Sequence, residues 1–194
     1  MDDVSVDVRL ADSANAFALH HDGWEDVARA YAQLSEPLFI ALVVLLAVIG
    51  VARRQSSLVW ASGLAVAAAG VGLTVAVVVS RIVARPRPFV THPQIHLFLA
   101  HAPDPGFPSD HATAAFAIAA ALMLRLGHRA LPVLIGAGAL AVSRVLVGVH
   151  YPTDVLVGAL LGIAAALLVC VIVAHPPGRM KLRSSPRREL AAGP

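Results

Sequence analysis

The chain holds one cysteine, Cys170. A lone thiol closes no intrachain disulfide and offers no thiolate cluster to a metal. Charge is scarce as well: Asp, Glu, Lys and Arg make up 14% of the residues, whereas hydrophobic types make up 58%. With a mean hydropathy of +0.75, this balance is far more apolar than the core of a soluble domain requires and points to an integral membrane protein. No internal repeat is visible. The first apolar run lacks a positively charged start and a small-residue cleavage site, so it is expected to stay in the mature protein and not to act as a signal peptide. The formal charge of +3 comes from a basic tail and a few isolated arginines, a distribution that does not point to nucleic acid.

What the chain does have is apolar length. Five runs, at 37–52, 58–80, 112–126, 131–147 and 155–174, approach or reach the roughly 20 residues that a helix needs to cross a bilayer. The expected fold is all-α, an integral membrane bundle of about five transmembrane helices. Arg53 and Arg54 follow the first run, Arg125 and Arg129 follow the third, and Arg179, Lys181, Arg183, Arg187 and Arg188 follow the fifth. The positive-inside rule makes these segments cytoplasmic and puts the N-terminus outside. The acidic residues Asp2, Asp3, Asp7, Asp22, Glu25 and Asp26 agree with that placement.

Three regions are expected: an external leader with an interfacial helix (1–35), a membrane-embedded domain (36–175) and a basic cytoplasmic tail (176–194). Phe17, Trp24, Val27, Tyr31 and Leu34 recur at helical spacing with polar residues on the other faces. This fits an amphipathic helix in the membrane interface. A disordered leader through Asp12 with a short helix after it is the competing reading. The tail lacks an apolar face and is expected to be disordered, either held near anionic lipid by its charge or simply solvated.

Ionisable residues cluster on the outer side of this topology: Arg81, Arg85, Arg87, Asp110, His111, Arg144, His150 and Asp154. Charges at such depth are expensive and usually pair or mark a functional path. The planar forks of arginine suit phosphate, to which they donate two hydrogen bonds at once. Ser109 precedes an apolar run and can cap its helix, leaving free backbone amides for an anion. Pro152 suits a first helical turn, which puts Asp154 in that turn and His150 just ahead of it. Asp154 is then expected to hydrogen-bond one ring nitrogen of His150 and leave the other lone pair exposed as a nucleophile.

This combination points to phosphoryl transfer. His150 attacks phosphorus, and Asp154 orients it and supports the developing charge. Arg87, Arg144 and Ser109 hold the equatorial oxygens. His111 protonates the leaving oxygen and then activates water. No metal or other cofactor is required by this scheme.

RPRPF at 85–89, PSDH at 108–111 and SRVLVGVHYPTD at 143–154 resemble, in order, the three signature motifs of the type 2 phosphatidic acid phosphatase superfamily, which also includes vanadium haloperoxidases. The resemblance implies His150 as nucleophile, Asp154 as its partner and His111 as acid and base, with Arg87, Ser109 and Arg144 on the phosphate. The family's first motif normally begins with Lys seven positions before the arginine matching Arg87, and Ser80 stands there. The adjacent Arg81 is the candidate substitute, although one helical step rotates it by about 100°. Asp110 replaces the usual Gly, as in the bacitracin-resistance type of undecaprenyl-diphosphate phosphatases, the subgroup this chain most resembles. The Asp110 carboxylate is expected to pair with Arg81, Arg85 or His111, its backbone NH facing the substrate.

The resemblance implies a membrane lipid phosphatase that removes the terminal phosphate of a lipid diphosphate, undecaprenyl diphosphate first, at the extracytoplasmic face and so recycles the carrier lipid, with membrane lipids around it. A phosphatidate or phosphatidylglycerol-phosphate phosphatase shares the same motifs. A non-catalytic lipid-phosphate binder is the alternative from another class, and the intact His150, His111 and Asp154 argue against it. Arg85 reads as an interfacial anchor. His92, His96 and His101 with Asp104 read as solvated loop residues, with a metal cluster as the lesser reading. Gly158 and Gly162 read as a close-packing face within the bundle, with a homodimer interface second.

Overall fold

The computed structural model describes residues 6–21 and 23–174. Among the described residues seven α-helices follow one another: α1 Val6–His20, α2 Trp24–Ala52, α3 Ser56–Val83, α4 Pro88–Thr91, α5 Asp110–Leu126, α6 Leu131–Leu146 and α7 Pro152–Ala174. A 3-10 turn, Gly127–Ala130, joins α5 to α6. The described residues contain no strand, as an all-α bundle requires. The expected tail, 176–194, lies outside the described residues.

All five apolar runs are helical. α2, α3 and α7 each suffice by length and composition to cross a membrane, as does the helical stretch 110–146 that contains α5 and α6. α5 and α6 have only 17 and 16 residues, and they run antiparallel, because the start of α5 and the end of α6 meet at one site described below. The expected interfacial helix divides differently. Gly23, in the left-handed region with φ 88°, separates α1 from α2, so Phe17 ends up on α1. Trp24, Val27, Tyr31 and Leu34 form the first turns of α2, which continues through Pro37. The buried Ala28 and Ala32 of those turns pack against Val147 and Val149 of the turn after α6.

Alanine fills much of the interior, around a few buried large residues such as Leu122 and Leu140, while many large residues lie outside. Ala61, Ala65, Ala68, Ala117, Ala121 and Ala166 are fully buried, while leucines and valines of α2, α3 and α7 stand exposed. Lipid is as apolar as leucine, so burying large side chains gains little between membrane helices, and close backbone packing takes over. α5 sits at the centre, packed on α3, α6 and α7. Gly158 and Gly162 explain how α7 comes so close to it: a Cβ on Gly158 would lie 2.5 Å from the Ser109 carbonyl oxygen, and one on Gly162 would strike the Thr113 carbonyl. The small-residue face is thus used within the bundle. α1 is fastened by Asn15, which is buried; its amide donates to the His96 and Leu146 carbonyls at 2.8 Å, and its oxygen accepts from the His96 amide at 2.7 Å.

Gly162→Ala is expected to destabilise the protein by about 1–3 kcal/mol through overpacking. Thermal unfolding in detergent checks this, with Gly138→Ala, which has nothing within 4 Å of the added methyl group, expected to match the parent protein.

Candidate active site

His150 lies in the turn between α6 and α7. Gly148 makes the turn with a φ of 77°, and the amides of Val149 and His150 both donate to the Arg144 carbonyl, at 3.2 and 3.3 Å. α7 then starts at Pro152, and the Asp154 carboxylate reaches back to accept from the Tyr151 amide at 2.9 Å, capping its own helix. His150 and Asp154 are almost completely buried.

Two expectations about this pair need correction. His150 Nδ1 stands 3.7 Å from Asp154 Oδ2, an ion-pair separation and too long for a hydrogen bond. The carboxylate's short contacts go to the Tyr151 amide and to Arg85, whose Nη1 donates to Oδ1 at 2.8 Å. The second nitrogen, Nε2, is not free either, since Arg87 Nη1 lies 3.1 Å from it. Arg85 is itself a correction: it is not an interfacial anchor but binds Asp154, Thr153 and Asp7.

Arg87 follows the left-handed C-cap of α3 at Ala84 and is 3% exposed. Its Nε donates to Asp104 at 3.0 Å, and Nη1 and Nη2 reach the Val149 and Pro105 carbonyls at 3.4 and 3.5 Å. Arg144 is 2% exposed, and its Nε and Nη2 have no hydrogen-bond partner among the described residues. A buried guanidinium with unmet donors is costly, and an anion is the group that would satisfy it. Ser109 caps α5 as expected, its hydroxyl accepting from the Ala112 amide at 3.4 Å, while its own amide donates to the Asp154 carbonyl at 3.0 Å.

His111 stands in the first turn of the same helix. Its Nδ1 lies 2.8 Å from Asp110 Oδ1, so of the three partners expected for Asp110 the structure selects His111. Its Nε2 lies 3.2 Å from Glu36 Oε2 on α2. Glu36 was missed in the sequence; the available signal was a carboxylate at the edge of an apolar run. Arg81 sits exposed in the last turn of α3 and lines a cavity of about 240 Å³ together with Arg87, Asp104 and Asp110. The structure therefore gathers His150, Asp154, Arg87, Arg144, Ser109, Asp110 and His111 at one end of the bundle, with Arg81 at the rim.

The loop histidines go separate ways. His92 meets the Tyr151 ring edge-on, His96 is held through its backbone by Asn15, and His101 Nδ1 lies 3.0 Å from the Ala102 carbonyl. Among the described residues, no three His, Cys, Asp or Glu side chains form a group that could hold a metal ion. Burial would raise the Asp104 carboxyl, but the hydrogen bond and positive charge of Arg87 hold it below its ordinary range.

This bundle defines an integral membrane protein with buried guanidinium groups gathered around an imidazole at one end. The chain belongs to the PAP2 superfamily, whose model matches residues 58–176. It is 37% identical over 102 residues to the undecaprenyl-diphosphatase BcrC of Bacillus subtilis, covering 53% of this chain and 48% of that one. It is 42% identical over 117 residues to a decaprenylphosphoryl-5-phosphoribose phosphatase of Mycobacterium tuberculosis, covering 60% and 61%. The matches thus span about half the length of these relatives. The fold resembles the crystal structure of Aquifex aeolicus LpxE, with a TM-score of 0.71 at 22% identity over 88% of this chain and 98% of that one.

Burial depresses His150 to a pKa of about 4; Arg87 and Arg144 repel its proton, and Asp154 opposes them. The folded value lies below the unfolded one of about 6.5, so this contribution to stability is complete above 6.5 and is lost as pH falls toward 4. The loss amounts to about 3 kcal/mol across that window. His150→Asn is expected to show a shallower drop in Tm than the parent protein between pH 6.5 and 4, measured by thermal unfolding in detergent.

Proposed function

We propose that this protein is a membrane lipid phosphatase that hydrolyses the terminal phosphate of undecaprenyl, or another polyprenyl, diphosphate at the extracytoplasmic face. The observation that carries the reading is the buried guanidinium of Arg144 close to His150, with Nε and Nη2 unpartnered among the described residues, and Arg87 on the imidazole. Two fixed cations beside a neutral imidazole suit a phosphoryl group whose charge spreads over three oxygens in the transition state. The outward orientation rests on the positive-inside pattern of Arg53, Arg54, Arg125 and Arg129.

In the proposed sequence, the incoming phosphate takes over the guanidinium of Arg87 and releases His150 Nε2. Nε2 then forms a bond to phosphorus as the bond to the bridging oxygen breaks. His111 gives its proton to that oxygen, and the lipid monophosphate leaves. Water, losing a proton to His111, attacks the phosphohistidine and orthophosphate departs. Asp154 supports the positive ring throughout, and no metal takes part.

An apolar groove of about 250 Å³ descends from His111, Asp110 and Glu36 between α2, α3 and α5, past Phe39, Leu73 and Ile118. Its polar groups sit at one end only, which suits a lipid whose chain stays in the membrane while its phosphate reaches the arginines. The relatives' names favour a polyprenyl chain. The phosphoribosyl polyprenyl lipid is the second reading, supported by the mycobacterial relative's longer match.

Purified protein is expected to release orthophosphate from polyprenyl diphosphate with a chelator present. A panel that also includes phosphoribosyl polyprenyl phosphate, phosphatidate and phosphatidylglycerol phosphate ranks the substrates. His150→Ala should lower kcat by about a thousandfold or more, and His111→Ala by about a hundredfold or more. Full turnover by His150→Ala would overturn the phosphohistidine route, and inactivation by the chelator would overturn the metal-free one. Leu73→Trp, which fills the groove, should weaken turnover of long-chain lipid much more than that of a short-chain phosphate.

A further inference from the structure

The geometry points to Asp7 and Arg85 as positioning residues that hold Asp154 in register with His150, which makes the N-terminal helix part of the active site. This rests on the phosphohistidine reading above. Arg85 lies at the centre of the arrangement. Its Nη1 donates to Asp154 Oδ1 and to Thr153 Oγ1, each at 2.8 Å, and its Nη2 donates to Asp7 Oδ2 at 2.6 Å. The guanidinium carbon lies 3.9 Å above the Tyr151 ring, whose hydroxyl is 3.1 Å from Thr91 Oγ1. Asp7 also accepts from the Thr153 amide at 3.0 Å and from its hydroxyl. Helix α1, the segment after α3 and the first turn of α7 are therefore tied together at one guanidinium.

The arrangement has an electrostatic consequence. A buried carboxylate paired with its own arginine would spend much of its charge there and offer little to a neighbouring imidazole. Here the guanidinium is divided between two carboxylates, one on each terminal nitrogen, and Asp7 takes up part of the positive charge. Asp154 thus keeps negative charge on Oδ2, the oxygen that faces His150 Nδ1. That charge is needed when His150 becomes positive on bonding to phosphorus. Oδ2 is held in place by the Tyr151 amide and Oδ1 by Arg85, so rotation of the carboxylate is blocked from both sides. Neither Asp7 nor Arg85 is assigned to the phosphate.

Steady-state and rapid-quench kinetics on polyprenyl diphosphate test this, using the full chain in detergent and comparing Asp7→Asn, Asp7→Glu, Arg85→Lys and Arg85→Gln with His150→Ala. Asp7→Asn and Arg85→Gln are expected to lower kcat and slow phosphohistidine formation by about tenfold or more. KM and inhibition by orthophosphate should stay within about twofold, because Arg87 and Arg144 are untouched. Asp7→Glu and Arg85→Lys should recover part of the rate. Arg85→Gln endangers the fold, so Asp7→Asn, which keeps the side chain's size, carries the test by itself. Wild-type turnover by Asp7→Asn, or a loss confined to KM, would overturn the inference while leaving the phosphatase reading intact. An active His150→Ala would instead overturn the reading on which it rests.

Discussion

Two guanidinium groups buried beside an uncharged imidazole set the terms for the end of the bundle where the candidate site lies. Removing a cation from water costs several kcal/mol even after relaxation, and Arg144 has donors with no partner among the described residues to offset that cost. The fold tolerates it because the surrounding backbone is tied down. The Arg144 carbonyl receives two amides from the following turn, Ser109 donates to the Asp154 carbonyl, and Asn15 fastens α1 across the His96 and Leu146 backbone. The same cations repel a proton from His150 and favour its uncharged form, the form that the proposed phosphatase reaction needs. The destabilising feature and the proposed reactive one are thus a single arrangement.

The membrane part of the bundle serves this end by close approach. Thr113 lies against Gly72 of α3 and Gly158 of α7, and the Thr113 carbonyl lies against Gly162. α7 can therefore bring Asp154 alongside Ser109, two residues distant in sequence whose backbones are hydrogen-bonded. A bundle held apart by large side chains would separate these ends by several ångströms, and the arginines, the imidazole and the helix cap would no longer face one another. Alanine and glycine inside, with leucine and valine toward lipid, are what the site's dimensions require.

Much of this was legible in the sequence because each signal was local or strictly ordered. The apolar runs marked the helices, Ser109 and Pro152 marked two helix starts, and the order of RPRPF, PSDH and SRVLVGVHYPTD marked the residues that gather. Other features were hidden because they depend on contacts between distant segments. Arg85 looked like an anchor beside Pro86, since nothing nearby in sequence hinted at Asp7 or Asp154. Glu36 went unread, since nothing near it in sequence hinted at His111, and the break at Gly23 was hidden by an apolar period that continues across it.

The sequence by itself determined the class of structure and named the polar groups that gather at the candidate site, because hydropathy over some 20 residues and the chemistry of His, Arg and Asp are properties of the chain alone. Only the tertiary structure decided who touches whom. It turned Asp154 toward Arg85 and the Tyr151 amide, put Arg87 on His150 Nε2, and brought α1 against the start of α7. The physical reason is that a hydrogen bond is a matter of a few tenths of an ångström, and separation along the chain carries no such information.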